Sequence, residues 1–234
     1  MDAGVRPERH YRSFTYREAV FRICCEAFDV VTEEIVRQRH LLEAYIQTHA
    51  EFQTSFKPLA LHPDAPQVAQ RMALAADRIG VGPMAAVAGA MAQCAGQAGL
   101  EAGASEAIIE NGGDIFVQTP RPVTIGLFPG AGQLAHQLAF SLQGKDTPLA
   151  ICSSSGHMGH SHSLGKCDLA TVVAKNAALA DAAATHAANR VRTIEDVNPT
   201  LEYMAAIEGI DGILIVKQDR VGMAGHLPEL VRLR

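Results

Sequence analysis

Three short stretches of this chain hold residue types at spacings that could do chemistry. Asn111-Gly112-Gly113-Asp114 joins two short apolar runs. Paired glycines open backbone conformations with positive φ and let N–H groups approach a ligand closely, and Asp114 can then orient a ribose, a base or a hydrated cation. The plainer reading of the same four residues is a tight hairpin. Farther along, Asp181 and Thr185 are four apart in ADAAAT. On a helix both oxygens project from one face about one turn apart, and the alanines between them leave room for something to approach. A hard cation suits such a site, because Mg²⁺ takes one or two protein oxygens together with phosphates and water. The spacing equally fits an acid near a helix N-terminus and a threonine bonded back to a carbonyl.

The third stretch is GHMGHSHSLG, with His157, His160 and His162 just after Ser153, Ser154 and Ser155. Imidazoles spaced HxxHxH could hold a transition metal, although no HExxH or paired Cys/His spacing accompanies them. Ser155 invites a nucleophile reading, but GxSxG is absent because two serines precede it. A hydrolytic set of Ser155, His160 and Asp168 requires those side chains within hydrogen-bond reach of one another.

The elements that must position these groups follow from periodicity and turn residues. Tyr11 to Ala27 is rich in β-branched, aromatic and Cys residues around Arg17-Glu18 and predicts a hairpin. Thr32 to Thr48 has apolar residues at helical spacing, with Thr32 as the expected N-cap. A proline-rich connector (Pro58, Pro63, Pro66) leads into a second helix running to Arg78. Gly82 to Gly99 is small and apolar on nearly every face, which predicts a helix buried all round, against its own chain or a second subunit. EAIIENGGDIFV gives two strands about the glycine corner, and VTIGLF is expected to continue that sheet. LAICSSSG and LATVVA are strands either side of the histidine loop. AALADAAATHAANRV is a helix, and a further short helix is expected to break before Pro199. GILIVKQDRVGMAG is a hairpin around Gln218-Asp219 with little chain beyond it. No low-complexity linker divides residues 1–234, so a single α+β domain is expected. It has room for a duplicated sheet-plus-helix half, although no sequence repeat marks one.

Composition narrows the class. The 234 residues carry 20 Lys+Arg against 25 Asp+Glu, a formal charge of −5, with the basic residues scattered rather than gathered into a phosphate footprint. A nucleic-acid binder is therefore not expected. Hydrophobic residues at 48% are enough for a core. Neither a signal-like N-terminus nor a run of about 18 apolar residues is present, so a soluble, cytoplasmic protein without a membrane partner is expected. The five cysteines lack CxxC pairs and read as reduced, buried thiols.

Taken in order, GPMAAVAGAMA, ENGGDI, ICSSSG and TVVAKNAALADAAATHAANRV resemble the ApbE-like superfamily, whose best-known members are FAD:protein FMN transferases. The likeness is greatest to a compact, uncharacterised branch carrying VGPMAAVAGA, NGGDI, SSG, GHS, GK and ADAAAT in the same order, and it spans roughly Ile79 to Val191. The resemblance implies an α+β, T-fold-like architecture of antiparallel sheets packed with helices, holding FAD or FMN and Mg²⁺. By the same resemblance Asp181 and Thr185 are metal ligands, and Gly112, Gly113 and Asp114, with Asn111 beside them, line the flavin-nucleotide cleft. Ser154, Ser155 and Gly156 form a second lining, and Asp181, Ser155 and His160 are the candidate catalytic groups. The transferases open their small-residue helix with a Lys-Gly pair, where this chain has Gly82-Pro83-Met84-Ala85. Lys166, His160 or the helix N-terminus near Gly82 is then the expected positive group. Two functions are implied: Mg²⁺-dependent transfer of FMN to a Ser or Thr of a protein substrate, or a non-catalytic module binding a flavin or another planar heterocycle.

Overall fold

The computed structural model describes residues 8–130, 137–156 and 166–233. In chain order the elements are β1 (Arg12–Tyr16), β2 (Ala19–Cys25), α1 (Phe28–Thr48), α2 (Glu51–Thr54), α3 (Gln67–Ile79), a 3₁₀ turn (Pro83–Ala86), α4 (Val87–Glu101), β3 (Ala107–Asn111) and β4 (Asp114–Gln118). They continue with β5 (Val123–Leu127), β6 (Leu138–Leu142), β7 (Leu149–Ser154), β8 (Leu169–Ala174), α5 (Ala177–Arg190), α6 (Val197–Ala205), β9 (Ile210–Lys217), β10 (Arg220–Gly225) and β11 (Glu229–Arg232). A large antiparallel sheet runs β1-β2-β3-β4-β7-β8-β9-β10, and a small one runs β11-β6-β5. In the large sheet the order strand, strand, helices, strand, strand occurs twice, once on each side of the β4–β7 seam.

Alternation along the strands divides the core into two layers. Phe21, Ile23, Ile109, Phe116, Cys152, Val172 and Ile213 face the helices. Ile108, Val117, Ile151, Val173 and Leu214 face the small sheet, where Ile125, Phe140 and Leu142 meet them. The central strands are therefore buried on both sides, which is why LAIC, LATVVA and GILIV read as unbroken apolar runs rather than alternating ones. Helix α4 packs internally, against α1, α5 and the sheet. Its small residues make that possible: a Cβ on Gly96 would lie 2.4 Å from the Phe116 ring. Among the described residues no single helix is long and apolar enough to cross a membrane. The bent pair α3 and α4 has the length and composition together, but it turns through 106°.

Several local expectations are corrected. VTIGLF does not extend the first sheet. As β5 it pairs with β6, and β11 closes that second sheet where only a short tail was expected. Helix α1 begins at Phe28, a turn before the expected cap, and the Thr32 hydroxyl donates to the Asp29 carbonyl from inside the helix. Arg12 lies over the Phe28 ring at 3.3 Å, holding that first turn against the hairpin. Helix α6 runs through Pro199 instead of stopping before it, since Pro199 falls in the first turn, where its missing N–H has no helical partner to lose. The small-residue helix proper starts at Val87, after the 3₁₀ turn.

Candidate functional site

Asn111-Gly112-Gly113-Asp114 is a two-residue hairpin, with Asn111 paired to Asp114 and both glycines at positive φ, +65° and +103°. A side chain at either position would strain the turn. The turn ends its strands at the edge facing the helices. Asp114 pairs in register with Cys152 of β7, and Cys152 with Val172 of β8, so Asn111, Asp114 and Cys152 form one row on the helix side. Only 7% of Asp114 is exposed.

Asp181 reaches the same place from α5. It is 8% exposed, and its Oδ2 accepts the Gly89 N–H at 2.9 Å; the Ala88 N–H is directed at the same carboxylate. The Asn111 amide donates to the Ala88 carbonyl at 3.3 Å, tying the glycine corner to the first turn of α4. The two helices approach this closely because residue 89 is glycine: a Cβ there would lie 2.2 Å from the Ala177 carbonyl oxygen and 2.9 Å from the Asp181 Cβ. At the start of α5 the Ala177 N–H donates to Gln93 and Asn176 caps Leu179, fixing the helix end from which Asp181 projects.

Burial pushes the Asp114 carboxyl well above its ordinary range, and the neighbouring Asp181 charge pushes it further, against hydrogen bonds from the Cys152 thiol and the Ser153 N–H. Burial raises Asp181 to about 7, although the Gly89 and Ala88 N–H groups favour its ionised form. Cys152 is held as a neutral thiol by burial and by both acids, which rules it out as a thiolate nucleophile near neutral pH. Among the described residues Asp114 Oδ1 has no hydrogen-bond partner. Among the described residues no lysine or arginine forms an ion pair with either acid. Two buried carboxylates, one orphaned oxygen and no counter-charge fit a hard divalent cation, the group whose charge offsets their burial.

The other candidates fall into three groups. Gly112, Gly113 and Ser154 lie beside the acid pair: Gly113 backs onto the Ser153 carbonyl, and Ser154 shares the helix-facing side with Cys152, two residues farther along β7. Thr185 is half-buried one turn beyond Asp181. Ser155 is buried, and the Gly156 N–H donates to the Cys167 carbonyl at 2.7 Å.

Gly82 caps the start of the 3₁₀ turn, and a Cβ there would strike the Ser55 carbonyl, so the backbone that follows α2 walls it in. The N–H groups expected to meet phosphate near Gly82 are instead those of Ala88 and Gly89, and they are directed at Asp181. Asp168 lies beside Lys217 at 3.7 Å and accepts from the Gln218 N–H. His157, His160 and His162 lie outside the described residues, and Lys166 at their border is exposed. Gly89, Ala88 and Cys152 were not singled out from sequence. Gly89 sits in the small-residue run, but nothing local separates a glycine needed for an α4–α5 crossing from its neighbours.

A family profile described as AbpE bacteria matches residues 22–208. The chain belongs to that family. Its relatives include UPF0280 proteins of Methanocaldococcus jannaschii, 39% identical over 210 residues (88% of this chain and 85% of that one), and of Archaeoglobus fulgidus, 38% identical over 224 residues (93% and 92%). Among solved structures, the fold matches a flavin transferase ApbE from Vibrio cholerae with TM-score 0.60 at 14% identity, covering 93% of this chain and 96% of that one. It also matches the apo flavinyl transferase ApbE from Pseudomonas stutzeri with TM-score 0.58 at 13% identity, covering 96% of each. At those identities the likeness is one of fold. The AbpE-type, ApbE-like architecture expected from the ordered motifs is thus the architecture found. The glycine corner and ADAAAT, 67 residues apart between Asp114 and Asp181, meet within it.

Proposed function

We propose that this AbpE-family chain is a Mg²⁺-dependent transferase that moves the FMN moiety of FAD to a Ser or Thr hydroxyl of a protein substrate in the cytoplasm. The observation that carries the reading is the buried Asp114–Asp181 pair without a counter-cation, at the junction of the glycine corner, α4 and α5. Asp181, Asp114 and Thr185 are the residues that would hold the ion. Bound there, Mg²⁺ supplies charge neutralisation on a pyrophosphate and its leaving group.

The chain's own residues do the rest. The N–H groups of Ala88 and Gly89 keep Asp181 oriented, and the Cys152 thiol and Ser153 N–H keep one side of Asp114 engaged so that Oδ1 stays presented. In the transfer, the substrate hydroxyl oxygen bonds to the FMN phosphorus, its proton passes to water, the pyrophosphate P–O bond breaks and AMP leaves. In this reading His160 or Lys166 would supply the positive charge for the phosphates.

The test is FMN transfer from FAD to a partner peptide, with Asp181→Ala as the control. No transfer and no magnesium-dependent nucleotide binding would remove the reading.

One observation favours a second reading, in which the same cleft binds a flavin or another heterocycle without turnover. The first-turn N–H groups of α4 are committed to Asp181, and the Lys-Gly pair of the transferases is missing. A rise in melting temperature with FAD, FMN or a pterin, unaccompanied by product, would select the binding module.

A further inference from the structure

At the opposite end of α1 from the hairpin, a second group of ligand-type side chains gathers where the proline-rich connector folds back. His49 caps the C-terminus of α1, and Glu51 opens α2 two residues later. His62-Pro63-Asp64-Ala65 is a turn closed by the Ala65 N–H on the His62 carbonyl at 3.1 Å. Pro63 presets that turn at its second position. It brings His62 over His49, with ring centroids 4.1 Å apart and the planes tilted by 42°. One nitrogen of each histidine and one Asp64 oxygen all lie within 4.8 Å of one another. Glu51 adds a carboxylate oxygen 4.0 Å from His62 Nε2.

The His49 ring is held by its surroundings: its Nδ1 lies 2.9 Å from the Thr48 hydroxyl and 3.1 Å from the Tyr45 carbonyl oxygen. Tyr45 stacks on the same ring, with centroids 4.3 Å apart, and holds its plane. A ring whose second nitrogen is held by a neighbouring polar group is the usual support for a metal-ligating histidine.

We propose that His49, His62 and Asp64 bind a divalent transition metal of the Zn²⁺ class, clipping the proline-rich connector to the end of α1. Two imidazoles and one carboxylate are a borderline donor set, unlike the all-oxygen acid pair, and they leave a fourth position for water or Glu51. The ligands must close in by about 1 Å to reach the donor separations of a tetrahedral ion, which the exposed turn carrying His62 and Asp64 can supply. The connector they would clip begins beside Gly82, where a Cβ would lie 1.8 Å from the Ser55 carbonyl oxygen, so the ion would fix the chain packed against the segment that leads into α4.

The test uses tag-free, metal-stripped full-length protein titrated with Co²⁺, followed by visible absorption, then displaced by Zn²⁺ in competition with a chromophoric chelator. About one Co²⁺ per chain with the intense bands of a tetrahedral ion is expected. His62→Ala should weaken binding on the order of 100-fold, and Asp64→Asn on the order of 10-fold. The metal-dependent rise in melting temperature should vanish with His62→Ala, while metal-free His62→Ala, altered only at an exposed side chain, keeps the parent melting temperature. The combined variant His157→Ala, His160→Ala, His162→Ala and the variant Asp181→Ala should both retain the spectrum. A site that survives His62→Ala but is lost with the three loop histidines would overturn the assignment, as would only weak, octahedral-type Co²⁺ absorption in the parent protein.

Discussion

Glu106 and the Asp114–Asp181 pair leave similarly little acidic surface exposed and are treated in opposite ways. Glu106, 4% exposed, takes Arg9 on one oxygen at 2.8 Å and Arg121 on the other at 2.7 Å, and also accepts the Thr119 hydroxyl. Burial raises its pKa, but these partners outweigh burial and bring it down to about 2. Asp114 and Asp181 have backbone N–H groups and a thiol but no cation among the described residues, and both are pushed up. A protein able to pair one buried carboxylate so completely has left two others, on β4 and α5, without a counter-cation among the described residues. The first arrangement serves the fold. The second costs the fold stability and is the kind of concession found where a ligand supplies the missing charge.

The largest effect expected from that contrast is functional. Asp181→Asn keeps the size and an acceptor for the Gly89 N–H but removes the charge. Transfer from FAD should fall on the order of 10³-fold, and the magnesium-dependent rise in melting temperature should disappear. Retained transfer with a normal magnesium response would show that the acid pair is not the ion's site.

The matching change at the paired acid should act on stability alone. Glu106→Ala strands two arginines and is expected to cost about 3 kcal/mol in chemical denaturation, with ligand binding unchanged. The pH dependence has a definite sign. Because the folded pKa of Glu106 is depressed, its contribution is complete above the unfolded value of about 4.3 and is lost as pH falls towards 2. The parent protein should therefore lose on the order of 2 kcal/mol across that window, and Glu106→Gln should flatten the curve there.

Gly89→Ala tests how tightly the pair's scaffold is built. The added methyl meets the Ala177 carbonyl at 2.2 Å, backbone that cannot rotate away, so α4 and α5 must separate. A loss of about 2 kcal/mol is expected, with weaker magnesium binding because the N–H that orients Asp181 moves with the helix. Gly103→Ala, where nothing lies within 4 Å but φ is +96°, separates backbone strain from this crowding.

What could be read in advance was local. The glycine corner announces its turn, ADAAAT announces its helix face, and alternation between two and 3.6 residues announces most strands and helices. The assembly of Asp114 with Asp181 was readable only through the order of motifs, since no local rule joins residues from a hairpin and a distant helix. Partner choice between strands was not readable at all. VTIGLF has the same pattern whether it pairs with β4 or, as it does, with β6, and only the covering of the large sheet's second face decides. The His49, His62 and Asp64 cluster is not legible in the sequence because its ligands are separated by a helix break and a proline turn instead of a recognisable spacing.

The smallest effect has the most informative sign. In the metal-free chain, Asp114 and Asp181 have folded-state pKa values raised above those of the unfolded chain, Asp181 to about 7. The folded state then keeps a proton that the unfolded state has released, so stability falls as pH rises from about 4 to about 7. Asp114→Asn removes one of the two like charges and supplies an amide to the buried row. Metal-free Asp114→Asn should be about 1 kcal/mol more stable than the parent at pH 7 and equal to it near pH 4, whereas Glu106→Gln is less stable at pH 7. With saturating magnesium the order of Asp114→Asn and parent should reverse, because only the parent retains both carboxylates for the ion. Equilibrium denaturation at the two pH values, with and without magnesium, reads all four corners. A destabilised Asp114→Asn in the metal-free state would place Asp114 with Glu106, as an acid the fold needs.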